Sequence, residues 1–393
     1  MNMNNINAIS PQNNFINIQN NIINVSIPQP RIFSPGNNNI NNKIIYEFKN
    51  IKQEFKMPIL IGLQSIGEAP IFMNSILQCF CHIEKLVNYI KYKTKVKDII
   101  DKYKKENRIN LISSFKILVD NLWPSTNRNN CLLSNNKNYY FAPYEIKEKL
   151  ELMNQNFKNC IPKDLIDLIL NNLHQDLNKK KQYNIKPVLL NNLDKNQVLN
   201  SYVESFKNEN CSIISDIFFG IYQKCEFCSL CQTPKYEFDS FNSLYFDLWK
   251  IKSFKMENSQ LNIYFSENLN LQDCFEYQRR IEYQTGNKTN FCQNCNNSNI
   301  YFKRTTIYSS PYLLIISLNL TRELQNTIKF DLWECFNLNN YVEKNKNQCF
   351  YNLIGIVAYN ININHFIAYC KNTIDKNWYK YNDDIYIISN YSY

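Results

Sequence analysis

Two short cysteine pairs, Cys228-Ser229-Leu230-Cys231 and Cys292-Gln293-Asn294-Cys295, constrain the fold more than any other feature of this chain. Each C-x2-C unit sets two thiolates on one ion at about 2.3 Å from a zinc, and four such ligands complete a tetrahedral structural site. If both units serve one ion, the chain after Cys231 leaves the site and returns to it at Cys292. Cys225 offers Cys228 a competing partner, and the spacing alone leaves that choice open.

The rest of the chain is long enough to bury a substantial core around such a clip: 393 residues, 44% of them apolar. With 14 cysteines and neither a basic n-region nor an apolar h-region after Met1-Asn2-Met3, the expected compartment is the cytoplasm or nucleus, where thiols stay free or bind metal. No apolar run reaches the roughly 18 residues a membrane span needs. The net charge of +10 gathers in clusters such as Lys179-Lys180-Lys181. No recognition motif accompanies them, so nucleic acid is not an expected partner.

Hydrophobic periodicity divides the chain. Residues 1–55 are rich in Asn, Ile, Gln and Pro without steady periodicity and read as a disordered tail. From Met73 to about Tyr103 apolar residues recur at three- and four-residue spacing, and helices are also expected over Ile112 to Leu122 and Asp164 to Leu177. The second half holds short aromatic and β-branched runs at Ser243 to Leu248, Tyr301 to Tyr308, Tyr312 to Leu318, Tyr351 to Tyr359 and Phe366 to Cys370. An α+β domain over residues 56–393 follows, helical first and sheet-rich second.

Three further segments carry chemistry. Gly62-Leu63-Gln64-Ser65-Ile66-Gly67-Glu68-Ala69-Pro70-Ile71-Phe72-Met73-Asn74-Ser75-Ile76-Leu77-Gln78 joins a glycine-bearing turn to a helix start. His365-Phe366-Ile367-Ala368-Tyr369 sets a histidine before a strand, and Trp378-Tyr379-Lys380-Tyr381-Asn382-Asp383 ends in polar residues. Together, and in this order with the cysteine pairs, they resemble the boxes of the ubiquitin-specific proteases. The resemblance covers roughly Pro58 to Ser392.

That resemblance implies a papain-like cysteine-peptidase fold with a helical thumb, a β palm and zinc-carrying fingers at about residues 220–305. It also implies thiol-dependent hydrolysis of the isopeptide after the C-terminal glycine of ubiquitin. It favours Cys228, Cys231, Cys292 and Cys295 as the ligands of a structural zinc, because the first pair then stands at the family's distance from Asp239-Ser240-Phe241. It makes His365 the general base, oriented by Asn382 with Asp383 beside it. It aligns Asp164-Leu165-Ile166-Asp167 with an acidic box that contacts the basic tail of ubiquitin. Asp164 and Asp167 share one helix face at that spacing.

In the nucleophile box the family cysteine falls on Ile71, and the oxyanion-stabilising asparagine falls on Ser65. One residue too many lies between the two halves of the box, with Glu68 as the expected insertion. Isoleucine offers no lone pair to attack a carbonyl. Cys79 lies about 12 Å along the helix from Ile71 at 1.5 Å per residue, so neither it nor Cys81 is expected to substitute; both read as core. The loop Tyr359-Asn360-Ile361-Asn362-Ile363-Asn364 lacks the glycines that let relatives' loops reshape. His82 and His174 carry no catalytic pattern and are expected on helix surfaces or satisfied in the core. The reading is an inactive, ubiquitin-binding pseudoenzyme whose partners are ubiquitin or ubiquitinated proteins. Its alternatives are an active deubiquitinase with residues 65–71 misread or misspliced, and a scaffold that no longer binds ubiquitin.

Overall fold

Met73–Cys81 forms a helix because Met73, Ile76, Leu77 and Phe80 repeat on one side of it, and every residue in it is buried. The helical stretch expected from Met73 to about Tyr103 is broken into Met73–Cys81, Glu84–Tyr92 and Thr94–Lys105. His82 caps the first of these, and Lys93 adopts extended backbone between the second and third. Ile112–Leu122 and Pro162–Leu177 follow as helices. The computed structural model describes residues 23–28, 60–124, 132–133, 135, 138–179, 194–259, 268–284, 292, 294–295, 301–319, 328–343, 349–372 and 374–389. Lys180 and Lys181 lie outside them, as does most of the expected tail.

The β-rich half builds a large mixed sheet with the strand order 385–389, 378–382, 365–371, 350–360, 23–28, 314–319 and 244–247; Cys335–Asn337 flanks the fourth of these. Its strands Leu314–Asn319 and Phe350–Asn360 carry apolar residues toward both faces because both are covered there. Ile315 and Val357 join the core beneath the helices, while Leu314, Ile316, Leu353 and Ile356 join a second core with Phe246, Phe275 and Phe336. A separate four-stranded sheet, ordered 234–241, 220–228, 301–309 and 281–284, carries the first cysteine pair at one end.

Ile23–Pro28 falls in the stretch read as a disordered tail, yet it is a strand in the middle of the large sheet. Its six residues sit among too many asparagines for a local pattern to reveal a strand that long-range pairing creates.

His82 closes the first helix from inside the core. Its Nδ1 lies 2.8 Å from the Gln78 carbonyl and its Nε2 3.2 Å from the Tyr381 hydroxyl, so Nδ1 donates and Nε2 accepts. Burial lowers its pKa to about 4. Its folded pKa is below the ordinary value near 6.5, so the unfolded chain binds the proton first and stability falls as pH drops from about 6.5 to about 4. At 1.36 kcal/mol per unit, the full loss is on the order of 3 kcal/mol. Urea midpoints at pH 7 and 4.5 are expected to differ more for the natural chain than for His82→Gln; equal differences would remove His82 from the account.

Candidate active site and metal centre

The turn that leads into the Met73–Cys81 helix is anchored from below. Strand Ile61–Leu63 runs parallel to Tyr139–Phe141, and the Leu63 N–H donates to the Asp383 carbonyl at 2.9 Å. Glycine is required at position 62, since a Cβ there would stand 2.5 Å from the Asp384 carbonyl carbon and 2.6 Å from the Asp383 oxygen. The Ala69 N–H then bonds back to the Ile66 carbonyl at 3.2 Å, closing a tight turn. Glu68 takes its left-handed position with φ of 68°, which a non-glycine residue adopts at a cost.

Glu68 is exposed at the tip of this turn, and its carboxylate meets Lys158 Nζ at 2.8 Å. The lysine's hydrogen bond and charge hold the Glu68 carboxyl below its ordinary pKa. Lys158 also reaches Glu151 at 3.6 Å, and Glu151 meets Lys147 at 2.8 Å. Ile71 follows the turn, immediately before the Phe72 N-cap, with 45% of its surface exposed. Ser65 is exposed on the same loop.

His365 opens the strand His365–Lys371, paired with Asn360 across a hairpin. Its neighbour Phe366 meets Phe72 edge-on at 5.5 Å, and Ser75 Oγ donates to the Phe366 carbonyl at 2.9 Å. The histidine strand is thereby fixed to the first turn of the helix that Ile71 precedes.

The Nε2 of His365 lies 2.9 Å from Asp383 Oδ2, with both side chains under one-fifth exposed. The approach is close but off the line of a hydrogen bond. Asp383 Oδ1 accepts from Asn74 Nδ2 at 2.8 Å, and the same amide nitrogen lies 3.2 Å and 3.1 Å from the Leu63 and Gln64 carbonyls.

Of the two residues expected near the histidine, the one beside the His365 ring is Asp383. Asn382 belongs to the ladder, paired with Ile385. Asp383 sits in the turn beyond it with φ of 51°, and that left-handed step swings its carboxylate toward the helix. Asn74 lies inside the matched Phe72-Met73-Asn74-Ser75 run, but nothing in the spacing reveals its contact with a residue 309 positions away.

Cys79 and Cys81 are buried in the Met73–Cys81 helix. Cys79 Sγ is 3.7 Å from Cys370 Sγ, and burial pushes the Cys81 thiol far above its ordinary pKa. Neither offers an exposed thiolate. His174 is held by Ser212 Oγ at 2.7 Å.

The hairpin before His365 is tight: Asn362 N–H bonds to Asn360 Oδ1 at 3.0 Å, Asn364 N–H to the Ile361 carbonyl at 3.3 Å, and Tyr359 OH to Asn364 Oδ1. Asp164 is exposed at the first turn of Pro162–Leu177, where its carboxylate accepts from the Ile161 N–H at 3.3 Å. Asp167, one turn on, pairs with Lys163 and accepts from Ser243 Oγ at 3.4 Å.

At the Cys228 end of the strand Gly220–Cys228, the sulfurs of Cys228, Cys231, Cys292 and Cys295 lie within 4.8 Å of one another. Cys228 and Cys295 are 3.7 Å apart and Cys231 and Cys292 3.5 Å. A tetrahedron with 2.3 Å arms has edges of about 3.8 Å, so the four thiols fit one thiolate-bound ion. The Thr233 hydroxyl, then its backbone and the Asn294 amide, bring the Cys231 pKa down to about 5, and the Cys231 and Leu230 backbone groups lower that of Cys228. Cys225 stands apart, paired with Tyr236 and Arg304 in the ladder, and burial raises its pKa.

A family model described as ubiquitin carboxyl-terminal hydrolase matches residues 61–390. The Drosophila melanogaster ubiquitin carboxyl-terminal hydrolase Usp2 is 22% identical over 354 residues, covering 86% of this chain and 34% of that protein. Human ubiquitin carboxyl-terminal hydrolase 2 is 22% identical over 340 residues, covering 82% and 51%. The chain thus spans about a third of the length of the first relative and half of the second. Among solved structures, Ubp8 in the SAGA DUB module bound to monoubiquitin matches with a TM-score of 0.55 at 20% identity, over 88% of this chain and 70% of that one. At that identity the likeness establishes the fold. With the family model spanning the helix box, the cysteine cluster and the histidine strand, the chain belongs to the ubiquitin carboxyl-terminal hydrolases, as a ubiquitin-specific protease family member.

Proposed function

We propose that this chain binds ubiquitin without hydrolysing its conjugates. The observation that carries the reading is Ile71, exposed ahead of the helix in the nucleophile's place, in a chain that keeps a His365–Asp383 pair. His365 has the chemistry of a base and Asp383 the charge to steady its protonated form. Among the described residues no thiol stands where the base would deliver its effect.

In this reading Cys228, Cys231, Cys292 and Cys295 hold one zinc, which when bound stiffens the fingers and takes no part in hydrolysis. Asp164 and Asp167 line the path of a basic tail. The monoubiquitin in the Ubp8 module supports ubiquitin as the ligand class. Among the described residues no helix is long and apolar enough to cross a membrane.

Titration with ubiquitin tests the reading. The natural chain is expected to bind, and Asp164→Lys with Asp167→Lys to weaken binding by about 1–3 kcal/mol through like-charge repulsion and lost charge-assisted bonds. Absence of any binding by the natural chain would leave the scaffold alternative standing.

A further inference from the structure

Two thiols meet where the helix Met73–Cys81 lies against the large sheet. Cys79 Sγ is 3.7 Å from Cys370 Sγ, and both residues are buried. Cys370 belongs to the strand His365–Lys371 and stands opposite Gly355 in the neighbouring strand. A Cβ at position 355 would stand 3.4 Å from Cys79 Sγ, so a longer side chain there would take the space the sulfur fills. Cys79 also borders a small apolar cavity, together with Ile76, Phe80, Ile315 and Val357.

Metal binding does not account for this pair. Among the described residues the groups of three or more potential metal ligands are confined to Cys228, Cys231, Cys292 and Cys295, and two thiols are too few for a structural zinc of their own. A disulfide does fit. The sulfurs need to close by about 1.7 Å to reach the bonded distance of about 2.05 Å, and the cavity gives the Cys79 side chain room to turn that a fully packed core would deny it.

We propose that Cys79 and Cys370 are a redox pair, which a peroxide converts to a disulfide that locks the helix after Ile71 to the strand that begins at His365. With hydrogen peroxide, Cys79 sulfur takes one oxygen as the O–O bond breaks, and the other oxygen leaves as water with the thiol proton accounted for in it. Cys370 sulfur then attacks the Cys79 sulfenic acid. The S–S bond forms, the S–O bond breaks, and the hydroxyl leaves with the Cys370 proton as a second water. Each sulfur has lost one electron and the peroxide has gained two. Burial, with the neighbouring Cys79 thiol adding to it, raises the pKa of Cys370 well above the ordinary value, which makes Cys370 the poorer first nucleophile and suits it to the second step. The first step waits for local opening of the helix, and the bond closes as the helix reseats. The lock is therefore slow to form and slow to reduce.

Peptide mapping of the zinc-loaded full chain tests this without any variant. The protein is treated with hydrogen peroxide over several hours, then unfolded, alkylated and digested. At least about half of the monomeric chains are expected to carry the Cys79–Cys370 link, lost on treatment with a thiol reductant. Cys79 and Cys370 both still open to alkylation after the fingers cysteines have been oxidised would overturn the proposal. A link from either residue to Cys81, or a Cys79–Cys370 link confined to covalent dimers, would overturn the pairing. In the linked chain, amide exchange across residues 73–81 and 365–371 is expected to slow at least about 10-fold and to recover on reduction. Unchanged exchange in a fully linked chain would overturn the lock.

Discussion

The unaltered chain is expected to release no fluorophore from the ubiquitin C-terminus above about one part in 10⁴ of the rate of a relative that keeps its cysteine. Loss of a nucleophile removes most of the acceleration of a constellation that acts as a unit, and the retained base contributes little alone. A ubiquitin probe that captures active thiols should leave the protein unlabelled. Turnover by the natural chain that disappears on mutating Cys79 or Cys81 would overturn this. Their burial argues against it, as a thiol must reach solvent as thiolate to react.

Restoring the nucleophile alone should recover little. Ile71→Cys would place a thiol after a turn whose tip is set by Glu68 in the left-handed region and tied to Lys158 at 2.8 Å. An exposed ion pair of this kind contributes little, because solvent screens it. The extra residue, not the ion pair, is therefore the larger obstacle. A misplacement of about 1 Å at a reacting atom costs as much as 10²-fold. Deleting Glu68 with Ile71→Cys and Ser65→Asn is the stronger rescue, since it corrects the turn, the thiol and the oxyanion donor together. The hairpin from Ile361 to Asn364, cross-linked by Asn360 and Tyr359, is expected to limit even this rescue.

Local pattern made most of the elements legible. Ile112 to Leu122 was expected as a helix and is one over those residues, because its apolar spacing and its burial coincide. Strands at 350–360 and 365–371 follow their β-branched runs within a residue or so. Lost to the sequence were features made by contact between distant segments. Ile23–Pro28 becomes a strand only between two others, and Asp383 displaces Asn382 at the histidine only because a left-handed turn residue aims it there. The isoleucine at position 71 was legible as a single letter of the sequence. Asn74's bond to Asp383 was not, because motif spacing records which residues are present and not which atoms meet.

Zinc analysis should find about one ion per natural chain, and less than a tenth of that after Cys292→Ser with Cys295→Ser. The argument is geometric. The second pair contributes two of the four sulfurs, and sulfurs 3.5 Å and 3.7 Å apart across the pairs leave room for one ion bound by all four. Two remaining thiolates make a poor site, and binding free energies of about 10–16 kcal/mol in zinc-finger peptides show how much of a small unit's order such a site can carry. The loss here should be smaller, since the strands 220–228 and 301–309 stay paired along their length. Faster amide exchange is therefore expected at the cysteine end of those strands first, with the sheet around His365 unchanged. Cys225→Ser is the discriminating control. Its side chain lies outside the cluster, in the ladder opposite Tyr236 and Arg304, so zinc content should stay near one. Stoichiometric zinc after loss of Cys292 and Cys295, or its disappearance with Cys225→Ser, would sink the four-cysteine assignment.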